Sequence, residues 1–547
     1  MSLPSNLERL TFDPPGPGSW LLDSVHVARP FSRFQAEIHP PNLAVGFRET
    51  ARRYGFLLDT LDWRIVNGFA YFAVAPVADE EVPSRLAAAE AAFADKLWRQ
   101  DMDRWERETK PAAIRAHLEL QGVDPALLGR EALLDHLDRC RDHQQRMIRQ
   151  HHVFNAPAMV PVGDLIAHVR DWTDLPLGEV LALLRGAAPE SAGSFAELDR
   201  LTAAIHASPS ARTILESDRD AGEIIQALLS YGGDVGIAAR AYLDLVGYRL
   251  LDTFDPAEPF ALEVPDVIVN GVRRAVTEGA PASSAASAEE EERVRRSIPP
   301  ANRDAFNELL GEARLTSRLR DERGLYSEVW AGGIVRRAIL AGGVQLAAEG
   351  RLEQPEHMAE ADYAEMRDLL QGLPGPSAAD LAERRRLRVA GRVSQAPPFL
   401  GDSPQPPPPL DGLPPAAARM MGAVGAAIDA LFGVGEVMSE ATTVRGIGAS
   451  PGVYTGIARR IDTPAEFGRL QTGDILVTAT TTESFNIVLP MLGAIVTDSG
   501  GVLSHAAIVS REFGIASVVG CRDATARIPD GARVRVDGTA GEVSLLA

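Results

Sequence analysis

The stretch SQAPPFLGDSPQPPPPLDGLPP, residues 394–415, constrains this chain more than any other. Nine of its 22 residues are proline. Proline lacks a backbone N–H and has a fixed φ, so so dense a run is barred from helix interiors and central strands. It predicts an extended, stiff spacer; at about 3.1 Å per residue, some twenty residues reach on the order of 60 Å. A short helix over 416–432 follows, and GVGEVMSEATT (433–443) is a second candidate hinge. Two folded parts with different patterning lie on either side.

Before the spacer the pattern is helical. Apolar residues recur at 3.6-type spacing over roughly 131–152, 163–186, 195–206, 221–250, 303–322, 326–350 and 359–372. Residues 84–121 read the same way, with a break expected near Lys110-Pro111. LDWRIVNGFAYFAVAPV, residues 61–77, is the exception: two strands joined at Asn67-Gly68, a type I′ turn signal. PASSAASAEEEERVRRSIPP (281–300) is small and charged and reads as an exposed, disordered loop.

A length of 547 residues allows two to four domains. Asp plus Glu number 75 against 55 Lys plus Arg, a net charge of -20. Without a concentrated basic face, this argues against a nucleic-acid partner. Cys140 and Cys521, far apart, form neither a disulfide framework nor a zinc site. No metal cluster is evident. The first residues lack a basic start followed by an apolar core. The longest apolar run, Met420–Gly435, is too short to span a membrane and carries Asp429. The expectation is a soluble, cytoplasmic protein without a membrane partner.

After the spacer, short Val/Ile-rich segments such as GDILVTATTT, LGAIVTDSG and IASVVG alternate with Gly, Pro and Asp. They predict a compact α/β domain of about one hundred residues. Between two of these strands lies SGGVLSHAAIVSRE, Ser499–Glu512. Ser504 has the chemistry of an N-cap, and His505 opens the helix behind it. Gly500 and Gly501 remove side chains where a phosphate would lie. The N–H groups of a helix start favour negative charge, and the Ser504 hydroxyl can orient the ring or bond phosphoryl oxygens. A surface histidine at an ordinary helix start has the same local sequence.

GGVLSHAAIVSREFGIASVVG resembles the phosphohistidine swivelling domain of phosphoenolpyruvate-utilising enzymes, with Gly500, Gly501, His505, Ala506, Ala507, Ile508, Val509, Arg511 and Glu512 in the pattern. RGIGASPGVYTGIA (445–458) and VRVDGTAGEV (534–543) extend the resemblance. Leu503-Ser504 stands where the dikinases have Thr-Cys, which points to the rifampicin phosphotransferase and phenylphosphate synthase branch. More diffuse similarity to that branch covers residues 18–77, 241–268 and 315–340. The resemblance implies a multidomain chain. A mainly α-helical acceptor-binding body with a small N-terminal β-hairpin region (1–393) precedes a linker with a short helix (394–443) and an α/β swivelling domain (444–547).

Family members load the histidine through an ATP-grasp domain that relies on lysine and a Gly-rich loop. Lys96 and Lys110 are the only lysines, and neither has a glycine-rich setting. The sequence runs 42 residues past His505, too few for a phosphoenolpyruvate-binding barrel. The resemblance therefore implies that ATP and Mg²⁺ reach this chain through an ATP-grasp partner, and that a small-molecule hydroxyl accepts the phosphoryl group. Transfer needs charge stabilisation. Arg320 and Arg323, three apart and hence on one helix face, fall in the family-like RDER; Arg318 and Arg336 are weaker candidates, and Arg511 supports the phosphate end. A solvated face laced with Asp321 and Glu322 is the plainer reading of the pair. His26 in DSVHVARP and His152 in IRQHHVFNAP are candidate general bases, though each also suits a structural role. Two other functions fit the same features: a non-catalytic phosphocarrier with no small-molecule pocket, and a biosynthetic enzyme in which phosphorylation drives dehydration or cyclisation.

Overall fold

In the computed structural model, residues 10–27, 29–187, 196–251, 254–279, 285–433, 443–481, 485 and 488–546 are described. Contacts divide the chain into two units: Met1–Ala156, Thr253–Pro259 and Arg323–Met421 in the first, and Pro157–Asp252, Phe260–Glu322 and Gly422–Ala547 in the second. The candidate hinge at 433–443 lies almost entirely outside the described residues.

The first unit holds a four-stranded antiparallel sheet, β1 (Ser19–Leu22), β2 (Leu58–Val66), β3 (Phe69–Pro76) and β4 (Phe399–Gly401), in the order β2-β3-β1-β4. The hairpin forms as its sequence predicts: Asn67 has φ 53° and Gly68 φ 85°, the two positive values a type I′ turn needs. Strand β4 comes from the proline-rich stretch, so that stretch is not spacer throughout. It pairs at a sheet edge, where missing N–H groups are tolerated. Trp20, Phe69, Tyr71 and Leu400 pack together beneath the sheet.

Three long helices build the rest of the first unit's centre: α1 (Arg33–Tyr54), α2 (Arg130–Val153) and α5 (Glu328–Ala348). Helix α1 is unforeseen in the sequence because Pro40 and Pro41 sit inside it. Its N-cap Ser32 accepts from the Gln35 N–H at 3.2 Å. The same serine donates from its N–H and its hydroxyl to the buried Asp255 carboxylate, each at 2.7 Å. Gly46 lets α1 close onto α2: a Cβ there would lie 2.3 Å from the Arg149 carbonyl oxygen and 2.9 Å from the His152 Cβ. The expected break at Lys110-Pro111 is absent. Residues Trp105–Thr109 form a π-turn, and Pro111 enters the next helix, Lys110–Gln121, near its start, where its missing N–H is least costly. The chain breaks earlier, at Lys96, with φ 45°.

In the second unit the 221–250 pattern resolves into two helices, Ala221–Leu229 and Gly233–Val246. The described part of the 281–300 segment is no disordered loop: Ala288–Ser297 is a helix with a Ser287/Glu290 capping box, acidic residues in its first turn and arginines in its last. An eight-stranded sheet follows: β5 (Thr443–Arg445), β6 (Ile447–Ser450), β7 (Val453–Arg460), β8 (Ile475–Thr478), β9 (Ala494–Thr497), β10 (Ala516–Val519), β11 (Arg533–Asp537) and β12 (Glu542–Leu545). Their order is β5-β12-β11-β7-β8-β9-β10-β6, with β7 through β10 parallel. Every residue of β8, β9 and β10 is buried, which is why these strands read as continuous apolar runs. Helix α7 (His505–Phe513) is the crossover between β9 and β10. Three more helices carry residues discussed below: α3 (Asn155–Trp172), α4 (Leu319–Leu325) and α6 (Pro415–Phe432).

Candidate functional site

In the second unit, strand β9 ends at Thr497 and the chain turns through Gly500 and Gly501 before α7 begins at His505. Gly500 has φ +102°, and a Cβ there would meet Ser504 at 2.7 Å. A Cβ on Gly501 would lie 2.3 Å from the Ala430 carbonyl oxygen of α6. Both glycines thus serve the fit of the loop itself, and the space beside Gly501 belongs to α6 rather than to a phosphate. The N–H groups of Gly501 and Leu503 donate to the carbonyls of Leu431 and Ala430, at 2.7 and 2.8 Å. These bonds use carbonyls that the end of α6 leaves unpaired.

Ser504 occupies the N-cap position with φ -65° and ψ 159°, but its side chain makes no capping bond. Its buried hydroxyl has no hydrogen-bond partner. His505 is 8 % exposed, not the open surface residue its position suggests. Its Nδ1 lies 2.9 Å from the hydroxyl of buried Thr481. Burial, aided by Arg320 and opposed by the Asp321 carboxylate, pushes the imidazole down to about 4, so the ring is neutral at physiological pH. Arg511, buried on α7, donates to the Ala449 carbonyl at 3.0 Å. Burial brings its guanidinium down to about 10, and it stays cationic. Leu181, Leu184, Leu431, Leu503, Arg320 and Arg511 line an apolar cavity here.

Arg320 and Arg323 do not act as one face. Arg320 lies in the field of His505, whereas Arg323 belongs to the first unit and donates to the Asn155 Oδ1 and the His151 carbonyl. Arg318 pairs with Glu322 at 2.8 Å, and Arg336 donates to the Pro256 carbonyl at 3.1 Å. Asp321 and Glu322 are buried, so the solvated-face reading of RDER does not hold. One Asp321 oxygen, Oδ2, is buried without a hydrogen-bond partner.

The remaining predicted residues gather in the first unit. Asp23 Oδ2 lies 2.9 Å from the His26 Nδ1, and Oδ1 accepts from the N–H groups of Val25 and His26 at 3.1 and 2.9 Å. Burial alone would raise the Asp23 carboxyl, but the His26 ring and these bonds hold it below the usual range. His26 keeps 40 % of its side chain exposed. His152 is pushed well below the ordinary histidine range by burial, then by His151, His39, Arg323 and His26.

Three further residues stand beside them: His39, His151 and Glu328. His39 stacks on Phe254 at 4.5 Å and lies 5.4 Å from the Trp63 ring. The Glu328 Oε1 meets the His151 Nδ1 at 2.7 Å, and its Oε2 lies 3.6 Å from the His39 Nδ1. Burial raises the Glu328 carboxyl above its ordinary value, against His39, Arg323 and His26. Donor atoms of His39, His152 and Glu328 all fall within 4.8 Å of one another, a spacing that can hold a metal ion and that the sequence did not reveal. Their positions are more than a hundred residues apart, so no local motif could expose them. The Asp23/His26 pair, three residues apart, is the part with a sequence signal.

Among the described residues, no helix is long and apolar enough to cross a membrane. Residues 470–541 match the PEP-utilising enzyme mobile domain, and residues 151–322 match the rifampicin phosphotransferase fourth domain. A chondramide synthase of Chondromyces crocatus is 28% identical over 96% of this chain and 14% of its own length. A rifampicin phosphotransferase of Streptomyces sp is 29% identical over 66% of this chain and 40% of its own. An uncharacterized phosphotransferase of Bacillus subtilis is 28% identical over 56% and 36%. The chain thus spans less than half the length of each of these relatives.

Proposed function

We propose that this chain, which carries a mobile domain of the PEP-utilising enzymes and a fourth domain of the rifampicin phosphotransferase type, is the phosphohistidine-carrying, acceptor-binding component of an ATP-dependent phosphotransferase. The observation that carries the reading is His505 itself: a neutral imidazole at a helix start, inside the matched mobile domain, with Thr481 on Nδ1. Engagement of Nδ1 by a hydroxyl favours Nε2 as the nitrogen that takes the phosphoryl group.

The reaction has two halves. In the first, an ATP-grasp partner binds ATP and Mg²⁺; the bond between the α- and β-phosphoryl groups breaks as Nε2 of His505 takes the β-phosphoryl group, water takes the γ-phosphoryl group, and AMP and inorganic phosphate leave. In the second, an acceptor hydroxyl attacks the phosphorus, the N–P bond breaks, and the hydroxyl proton passes to a base. We assign the base role to His26, whose Nδ1 lies 2.9 Å from the buried Asp23 carboxylate, a partner that orients the ring. Arg323 supplies charge on the acceptor side, while Arg320, Arg511 and Ser504 support the phosphoryl end. The aromatic rings around His39 suit a small aromatic or natural-product acceptor.

The match to a synthase over nearly the whole chain favours a second reading, in which phosphorylation activates the hydroxyl for dehydration or cyclisation. The test is labelling. The chain and His505→Ala are incubated with ATP labelled at the β-phosphoryl group, alone and in lysate of the source cells. Acid-labile label on the chain only with lysate, and none on the variant, is expected. No label under either condition sinks the proposal.

A further inference from the structure

We infer that His39, His152 and Glu328 form a binding site for a divalent transition-metal ion of the zinc class. The inference stands on first-unit geometry alone and does not depend on the phosphoryl-transfer reading.

Three helices supply the three donors: α1 gives His39, the last turn of α2 gives His152, and the first turn of α5 gives Glu328. The packing that brings them together is specified. Gly46 admits the α2 backbone at Arg149, one turn before His152, the Arg149 Nε donates to the Asn42 Oδ1 at 2.6 Å, and the Gln150 Nε2 donates to the Ser327 hydroxyl at 3.0 Å. His39 is 1 % and Glu328 3 % exposed. Two imidazoles and one carboxylate at 4.8 Å or less are the donor set of zinc and its late first-row neighbours. Tetrahedral ligands at about 2.1 Å stand roughly 3.4 Å apart, so loading draws the side chains in by about an ångström.

The independent sign is unmet hydrogen-bonding capacity. The Glu328 Oε2 and the His152 Nε2 are both buried and have no hydrogen-bond partner. A buried carboxylate oxygen and ring nitrogen left so are costly unless something else occupies them. The other carboxylate oxygen lies 2.7 Å from the His151 Nδ1, and the other ring nitrogen of His152 lies 3.2 Å from the Asn155 amide nitrogen, so each ligand's second polar atom faces a side chain that can tune it.

The second sphere also makes a distinguishing prediction. Arg323 donates to the Asn155 Oδ1, which turns the amide nitrogen toward the His152 Nδ1. Without an ion this arrangement places the ring proton on Nε2. An ion on Nε2 requires the single ring proton of this neutral imidazole to sit on Nδ1 instead, and that calls for an acceptor opposite it. Asn155→Asp supplies that acceptor without touching the ion.

The full chain, stripped with chelator and dialysed, is titrated with Zn²⁺ by calorimetry and with Co²⁺ by visible absorption. Wild type is expected to take up one ion per chain with tetrahedral Co²⁺ bands. Glu328→Gln and His39→Ala are each expected to lose at least about a hundredfold in affinity, and His206→Ala, an exposed histidine elsewhere, to bind as wild type. Asn155→Asp is expected to bind about tenfold tighter, and it keeps the proposal testable if a ligand variant does not fold. A wild-type chain that binds no ion, ligand variants that bind as wild type, or an Asn155→Asp chain that binds no tighter overturns it.

Discussion

At the scale of single residues, His505 dominates. Its ring is driven down to about 4 by burial, and the consequence has a definite sign. Between pH 6.5 and about 4 the unfolded chain takes up a proton at this position that the folded chain refuses, so stability falls as pH falls through that window. The shift corresponds to about 3 kcal/mol. His505→Gln is therefore expected to lose less stability than wild type on acidification across this range, as read by denaturant unfolding at stepped pH. Other buried histidines, such as His136 and His143, titrate alike in both proteins and cancel. Thr481→Val removes the hydroxyl from Nδ1 and leaves shape unchanged. Label transfer to His505 is expected to slow by about fivefold, the size of one neutral hydrogen bond, with the melting temperature nearly unchanged; an unaltered rate would deny Thr481 its positioning role.

At the scale of elements, the loop before α7 depends on close backbone approach. Gly501→Ala places a methyl 2.3 Å from the Ala430 carbonyl oxygen. Backbone cannot yield as a flexible side chain can, so a loss of about 2–3 kcal/mol is expected, measured as a lowered melting temperature. Gly68→Ala tests the same logic at the hairpin, where φ is +85° and Pro30 Cβ stands 2.6 Å from the added atom. Element types were largely legible in the sequence: the hairpin, α2, α5 and the buried strands β8 to β10 all declare themselves by spacing. The misses have physical causes. Pro40 and Pro41 disguise α1, and a π-turn accommodates Pro111. The capping box at Ser287 and Glu290, with its favourable charge order, turns a composition that reads as disordered into a helix.

At the scale of the whole molecule, the proposed reaction predicts loading in trans. A fraction of source-cell lysate that supports labelling of wild type should lose that ability when its ATP-binding protein is removed, and label appearing on the purified chain alone would refute the dependence. The sequence by itself determined the Gly-Gly-to-His505 motif of the matched mobile domain, the contrast between helical and Val/Ile-rich parts, and the acidic charge balance. These are local patterns or sums, and adjacent residues suffice to write them. Only the tertiary structure decided that Thr481 meets His505, that Arg320 and Arg323 serve different surroundings, and that His39, His152 and Glu328 converge from three helices. Such meetings depend on how helices pack across hundreds of residues of chain. That packing is set by side-chain volume and by small residues such as Gly46, neither of which marks its distant partner in the sequence.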